Sequence, residues 1–220
     1  MKIIGYVRSD FPTKFAIPRQ SGVAPEIKSK IVFEPEYRVK EAFRGLEEYS
    51  HIWVLWQFSE SIREEWSPTV RPPKLGGNKR VGVFATRSPF RPNSIGLSSV
   101  KLDRVEYDDK LGVVLHISGA DIMDNTPVFD IKPYIAYTDS HPDADCSFAL
   151  SPDKNLLQVK IPPEILEKVP ENKKETLISV LRQDPRPAYI DDDRRYGFAF
   201  AGMEIGFRVK DGVLIVESIE

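Results

Sequence analysis

What the chain lacks excludes several classes of protein. It contains one cysteine, Cys146, so no disulfide can form within it, as is usual in a reducing compartment. No segment approaches the roughly 18 to 20 apolar residues of a membrane-spanning helix. The first residues also lack the apolar stretch of a signal peptide. From these absences we expect a cytoplasmic protein with no membrane partner.

The motifs of several common catalytic sites are also missing. No G-x-G-x-x-G segment follows a predicted strand, and no G-x-S-x-G segment occurs. The glycine spacing of a P-loop is present at 77–82, but Val83 stands where that motif requires lysine. The three histidines and the single cysteine lie far apart and show no zinc-ligand spacing, so we expect no metal.

Proline and glycine, by contrast, are frequent, with 18 and 13 residues, and they divide the chain into short segments. Many of these segments are rich in β-branched and aromatic residues and predict strands. The predicted strands cover 3–7, 30–33, 52–58, 81–86, 100–107, 113–117 and 128–135. Apolar spacing predicts a helix only at 37–46, with further helical turns at 59–66. The fold class is therefore mainly β.

The pattern changes after residue 137, because 138–145 is polar and is typical of a linker. A strand at 156–161, a helix at 163–181 and closing strands at 197–209 and 213–219 follow. The last two are joined through Asp211-Gly212, a strong hairpin signal. We predict a first domain at 1–140 and a smaller α+β domain at 146–220.

Charge is unevenly distributed, although the net charge is only -2. No Asp or Glu occurs from 66 to 102, and that window holds seven basic residues: Arg71, Lys74, Lys79, Arg80, Arg87, Arg91 and Lys101. Such placement makes a local positive field that suits a phosphate, a carboxylate or a polynucleotide. The alternative is a solvated loop whose basic residues pair with acids elsewhere.

The centre of this window, 86–97, reads Thr-Arg-Ser-Pro-Phe-Arg-Pro-Asn-Ser-Ile-Gly-Leu. Its two prolines restrict the backbone, and its two arginines offer planar sets of donors. A rigid loop that carries arginines is typical of a binding site, although the same arginines can simply hold the loop in place. The residues alone therefore indicate a β-rich protein with a basic loop for a small ligand or RNA.

Four segments carry a resemblance to a known family. They are Pro-Arg-Gln-Ser-Gly at 18–22, a helix-to-strand signature at 42–54, the loop at 88–98, and Asp-Asn-Thr-Pro-Val-Phe-Asp-Ile-Lys-Pro-Tyr at 124–134. Together they resemble the TrmO family, also called TsaA-like or YaeB-like proteins. The segment at 184–189 is similar to the tail of the longer bacterial members. The resemblance covers the first domain and extends into the second.

This resemblance implies a fold, a cofactor and an activity. The first domain would be a single β-barrel, and the protein would be a homodimer. The chain would be an enzyme, a tRNA (adenine-N6)-methyltransferase that takes its methyl group from S-adenosylmethionine outside any Rossmann fold. Its substrate would be threonylcarbamoyladenosine next to the anticodon of threonine tRNA.

The family motifs also assign residues. The cofactor contacts implied by resemblance are Pro18, Arg19, Gln20, Phe58, Ser59, Arg87, Leu97, Asp124, Asn125, Thr126 and Pro127. Asp124 is the candidate proton acceptor, unless it only caps its own turn. The candidates for tRNA backbone contact are Arg71, Lys74, Lys79, Arg80 and Arg91.

Two positions depart from the family pattern. Ser59 stands where family members usually have histidine, and Asn125 replaces a glycine. Asn is the next-best residue for a left-handed backbone, so we expect the turn at Asn125 to be kept. Ser59 leaves room for a second hypothesis, a non-catalytic dimeric barrel that binds S-adenosylmethionine or RNA as an adaptor or sensor. A third is a methyltransferase with another acceptor.

Overall fold

The computed structural model of the protein describes residues 1–72, 75, 78–149, 156–186 and 192–220. Its strands are β1 (Gly5–Arg8), β2 (Lys28–Phe33), β3 (His51–Gln57), β4 (Thr69–Val70), β5 (Val81–Gly82), β6 (Ile95–Asp108), β7 (Gly112–Ser118), β8 (Pro127–Pro133), β9 (Gln158–Lys160), β10 (Tyr196–Phe200), β11 (Met203–Lys210) and β12 (Val213–Ile219). The α-helices are α1 (Ala136–Asp139), α2 (Pro163–Leu166) and α3 (Glu171–Arg182).

Six strands close into a barrel in the order β1-β2-β7-β6-β3-β8, and every neighbouring pair is antiparallel. Alternation along β3 explains how it forms a wall, because Ile52, Val54 and Trp56 are buried inside. They pack with apolar side chains from the other walls, such as Ile31 and Leu115. The predicted mainly-β fold with a barrel is confirmed.

The antiparallel pairing places the connections of the barrel at two ends. The upper end, as we call it, carries the connections 9–27, 58–94 and 119–126, which leave β1, β3 and β7. The lower end carries 34–50 and 109–111. The small ribbon of β4 and β5 belongs to the upper connection 58–94.

Two local predictions were wrong. The predicted helix at 37–46 is replaced by short 3-10 turns at Pro35–Tyr37, Lys40–Phe43 and Leu46–Glu48. Gly45 has a left-handed φ of 85° and Phe43 is the single buried residue of these turns, so no apolar helical face forms. The predicted strand at 81–86 ends at Gly82. Of the one or two turns predicted at 59–66, one 3-10 turn is present, at Ser59–Ser61.

The C-terminal sheet has the order β10-β11-β12-β9, with β9 parallel to β12. The predicted helix at 163–181 divides into α2 and α3, because Pro170 precedes α3. The predicted strand at 197–209 also divides, at Ala201-Gly202, where φ is 51° and 79°. The predicted Asp211-Gly212 hairpin is confirmed, with φ of 50° and 74°.

The upper connection 9–27 packs into the core of the C-terminal sheet. Phe11 and Ile27 are buried there among side chains of α3, β10 and β11. The hydroxyl of Thr176 on α3 donates to the carbonyl of Glu26 at 2.9 Å, and that of Ser179 donates to the Glu26 carboxylate at 2.6 Å. The C-terminal sheet therefore braces a connection of the barrel.

The division into a first domain at 1–140 and a second at 146–220 stays a prediction. In the described part of the chain, no helix has the length and hydropathy to span a membrane.

Candidate functional site

Every residue predicted to contact the cofactor lies at the upper end of the barrel. The segment 18–20 belongs to the connection 9–27, and the segments 58–59 and 87 belong to the connection 58–94. Residues 124–126 complete the third connection, while Leu97 and Pro127 lie at the starts of β6 and β8. Segments more than a hundred residues apart in sequence are thus gathered at one place by the strand order.

Two of these connections touch through side chains. The Arg87 guanidinium donates from Nη1 to Oε1 of Gln20, which is 67 residues away in sequence. The Gln20 amide in turn donates from Nε2 to the carbonyl of Arg19 at 2.6 Å. Arg19, Gln20 and Arg87 are all exposed, so the guanidinium groups face solvent with room for an anionic group.

A buried polar network lies nearby. The indole of Trp56 donates from Nε1 to the hydroxyl of Ser98 at 3.0 Å, and that hydroxyl donates to Oδ1 of Asp121 at 2.6 Å. Burial raises the pKa of the Asp121 carboxyl, while the bond from Ser98 and the charge of Arg87 act against this rise. The network therefore links the barrel interior to the segment 86–97, which we call the arginine loop.

Sequence reasoning missed Asp121, Ser98 and Trp56. One signal was present, because Asp121 is a carboxylate placed directly after the buried end of β7 and Ala120. Its partner Ser98, however, is 23 residues away, and Trp56, which bonds Ser98, is 65 residues away, so no local pattern joins the three.

Gly96 allows the Trp56 ring to lie against β6. A Cβ at Gly96 would stand 2.2 Å from the Trp56 ring. The same ring packs against Phe58, with centroids 4.2 Å apart, and the Phe58 amide donates to the carbonyl of Ser94 at 2.9 Å. Ser59 follows, half-buried, as the first residue of a 3-10 turn. The glycine of the arginine loop is thus a packing requirement.

The Asp124 turn is tied to the end of β1. Oδ1 of Asp124 accepts from the amide of Ser9 at 3.0 Å, and Oδ2 accepts from Nδ2 of Asn125 at 3.0 Å. Asn125 adopts a φ of 59°, so it fills the left-handed position expected from the sequence. Thr126 and Pro127 are buried, and the Thr126 carbonyl accepts from the amide of Val7 at 2.9 Å. The short segment from Asp121 to Asp124 carries this turn next to the buried network.

The residues predicted to contact RNA differ in their hydrogen bonds and in their exposure. Arg91 donates from Nη1 to the carbonyls of Val83 and Thr86 at 3.2 and 2.7 Å, so it holds the loop in place. Arg80 is exposed and donates to the hydroxyl of Thr69 at 2.9 Å. Lys79 and Arg71 are also exposed, and Lys74 lies outside the described residues.

One concavity lies between α3 and Glu26, at the end of the upper connection 9–27, and another lies at the lower end beside Phe43. Leu97, a predicted cofactor contact, is 57% exposed. Within the described ranges, no group of three His, Cys, Asp or Glu side chains is placed to hold a metal ion.

Comparison with known proteins addresses the family. Residues 6–140 match the tRNA-methyltransferase O N-terminal domain, and residues 154–220 match the TrmO C-terminal domain. The chain is 40% identical over 226 residues to the tRNA (adenine(37)-N6)-methyltransferase of Escherichia coli K12, covering 99% of this chain and 96% of that protein. It is 39% identical to a putative S-adenosylmethionine-dependent methyltransferase, RcsF, of Pseudomonas aeruginosa PAO1, over 92% of this chain and 89% of that one.

A solved structure gives the same result at the level of the fold. The crystal structure of TrmO from Pseudomonas aeruginosa superposes with a TM-score of 0.81 at 32% identity, covering all of this chain and 96% of the other. Both parts of the sequence match the family, and so does the fold. The chain therefore belongs to the tRNA-methyltransferase O (TrmO) family.

Proposed function

We propose that this protein is an S-adenosylmethionine-dependent tRNA methyltransferase that methylates N6 of adenosine 37, in its threonylcarbamoyl form, in threonine tRNA. Relatives that cover 99% and 78% of the chain carry the name tRNA (adenine(37)-N6)-methyltransferase. The observation that carries the proposal is the meeting of the three upper connections, with Gln20 bonded to Arg87 and the charge of Arg87 acting on the half-buried Asp121.

The side chains at this end fit the chemical groups of the cofactor. The guanidinium groups of Arg19 and Arg87 suit a carboxylate, because they offer paired N–H donors. The exposed side chain of Leu97 offers apolar surface to a ring. When bound, the cofactor would supply a methyl group on a sulfonium: the attacking nitrogen would bond to the methyl carbon as the bond from that carbon to sulfur breaks, and the sulfur would leave in line as a neutral thioether. The protein's task is then to align the two reactants and exclude water, so no catalytic triad is needed.

Asp124 enters the proposal as the group that accepts the proton of the adenine amino group. Each of its carboxylate oxygens receives one hydrogen bond within the turn, which leaves further lone pairs to accept a proton. Asp124→Asn keeps an oxygen for the Ser9 amide but removes the base. We expect turnover to fall about a hundredfold with normal cofactor affinity, within the range for a general base. Full turnover in this variant would leave Asp124 as a turn cap alone.

We also propose a homodimer. The candidate site exposes the apolar side chain of Leu97, and a second copy of the chain would cover it. Covering the site would exclude water from the reacting groups, which strengthens every electrostatic contact there. Light scattering at working concentration measures the mass of the particle. A monomer that is fully active would remove the dimer from the proposal.

The function is tested by transfer of labelled methyl from S-adenosylmethionine to tRNA. Bulk tRNA with the threonylcarbamoyl group is compared with tRNA made without it, and the modified nucleoside is identified by mass spectrometry. We expect label only in the modified nucleoside of threonine tRNA. Label in another RNA would assign a different acceptor. Cofactor binding without any methyl transfer would support the second hypothesis, a non-catalytic barrel, which is based on Ser59 in place of the usual histidine.

A further inference from the structure

Two large aromatic side chains at the upper end are exposed and lie side by side. Phe84 is 70% exposed and Trp66 is 49% exposed. Their ring centroids are 5.9 Å apart with an interplanar angle of 33°. Rings of this size normally lie in a core or an interface, so a paired exposed arrangement indicates a binding surface.

The backbone beneath holds the two rings in place. β4 and β5 form an antiparallel ribbon in which Thr69 faces Gly82, and the amide of Val83 donates to the carbonyl of Pro68 at 2.9 Å. Trp66 lies three residues before β4, and Phe84 lies two residues after β5. The rings thus emerge from the same end of the ribbon, which limits the entropy lost when a ligand binds.

Guanidinium groups accompany the rings. The Arg91 guanidinium carbon lies 5.5 Å from the Phe84 centroid, and that of Arg63 lies 3.8 Å from the Phe90 centroid. Because Arg91 is bonded to the carbonyls of Val83 and Thr86, its plane is fixed beside Phe84. We call Trp66, Phe84 and Arg91 the aromatic platform. Trp66 is the first residue of the segment 66–102, which contains no acidic residue. Two acidic residues, at 64 and 65, immediately precede that segment.

We propose that the aromatic platform stacks unpaired nucleotides of an RNA substrate. Bases that are not paired expose flat faces, and proteins recognise them with aromatic rings and with guanidinium planes. The positive charge of Lys79 and Arg80, close by in sequence, suits the phosphates that accompany such bases. A protein partner that binds through apolar contacts would not require this positive charge. That the RNA is tRNA rests on the function proposed above.

The platform is tested with Phe84→Leu, which keeps an apolar side chain but removes the ring, and with Phe84→Trp, which restores a ring. The probes are a hairpin RNA with an unpaired loop and a fully paired duplex of the same stem. We expect Phe84→Leu to weaken hairpin binding about tenfold, the usual scale for one stacked base, and Phe84→Trp to recover it. Binding to the duplex should not change.

A matched control exists at the lower end. Tyr107 is 47% exposed, and Lys40 lies over its ring at 5.2 Å, so it is also an exposed ring beside a cation. Tyr107→Leu should leave hairpin binding unchanged. In Phe84→Leu the salt dependence of hairpin binding should keep its slope, because stacking releases no counterions. Cofactor affinity, measured by calorimetry without RNA, should also stay the same.

Several results would overturn the platform. One is hairpin binding by Phe84→Leu and Trp66→Leu that equals the wild type. Another is an equal loss for hairpin and duplex, which would indicate a general electrostatic or folding effect. A third is a change of particle mass in Phe84→Leu, which would make this surface a contact between copies of the chain. If the wild type transfers no methyl to tRNA but Phe84→Leu still weakens hairpin binding, the platform stands and the proposed function fails.

Discussion

The two ends of the barrel are built on the same six strands but differ in the side chains that their connections carry. At the lower end, Phe33 and Phe43 meet edge to face at 4.7 Å beside an apolar hollow, and Arg38 donates to the carbonyl of Phe33 at 2.8 Å. At the upper end, connections carry exposed arginines, and the charge of Arg87 acts on the half-buried carboxyl group of Asp121. The two ends therefore differ in the kinds of side chain that their connections bring together.

This contrast shows that the connections, and not the barrel walls, determine where chemistry can occur. An apolar hollow offers burial but few donors. The upper end offers donors and acceptors that come from three separate connections, with one of them braced by the C-terminal sheet. The following predictions change one end while leaving the other as a control.

The largest expected effect follows from Arg87→Ala. This change removes the guanidinium group that donates to Gln20. The charge of that group also lowers the pKa of Asp121, against the rise caused by burial. If Arg87 binds the cofactor carboxylate as proposed, loss of this charge-assisted hydrogen bond should lower kcat/KM for methyl transfer about a hundredfold. The control is Arg104→Ala on the barrel wall, where Arg104 pairs with Glu106 at 3.1 Å on an exposed surface. Equal losses in the two variants would contradict a special role for the upper end.

Gly96→Ala tests the packing beneath the arginine loop. The added methyl group would stand 2.2 Å from the Trp56 ring, whose indole donates to Ser98 and which packs against Phe58. Overpacking of this kind should lower the free energy of unfolding by about 2 kcal/mol, measured by urea denaturation. Gly82→Ala is the control, because a Cβ there meets nothing within 4 Å. An unchanged stability of Gly96→Ala would mean that the ring moves freely.

The mainly-β content could be predicted from local signals, because segments rich in β-branched and aromatic residues alternate with turn residues. The closure of the strands into one barrel and the left-handed turn at Asn125 were expected from the resemblance to the TrmO family, and the turn has a φ of 59°. The helix at 37–46 was wrong because its apolar residues do not form one buried face, since Phe43 is buried while Val39 is exposed. The bond between Gln20 and Arg87 was beyond local reasoning, since it arises from the strand order.

Opposite pH dependences should distinguish Asp121 from a carboxyl group at the lower end. Burial raises the pKa of Asp121, so the folded state disfavours its charged form. Its contribution to stability is therefore present at low pH and is lost as pH rises from the ordinary carboxyl range through the raised pKa. Relative to Asp121→Asn, the wild type should lose stability over that interval in urea denaturation.

Asp139 provides the opposite case. The amide of Ile135 and the indole of Trp53 both donate to its carboxylate, each at 2.9 Å, and these bonds lower the pKa of Asp139. Its contribution is present above the ordinary carboxyl range and is lost as pH falls through the lowered pKa. Asp139→Asn should therefore remove stability mainly at higher pH. Parallel pH curves for the two variants would contradict this difference between the ends.

The smallest expected effect concerns Arg80, an exposed residue of the upper end whose described hydrogen bond is to the neutral hydroxyl of Thr69. Arg80→Ala should weaken tRNA binding a few-fold for every sequence, because a phosphate contact carries no sequence information. It should also reduce the slope of log affinity against log salt by about one. Lys40→Ala at the lower end is the control and should leave the slope unchanged. A variant of Arg80 with the wild-type slope would place the RNA backbone elsewhere, and the upper end would then hold the cofactor without carrying the phosphates.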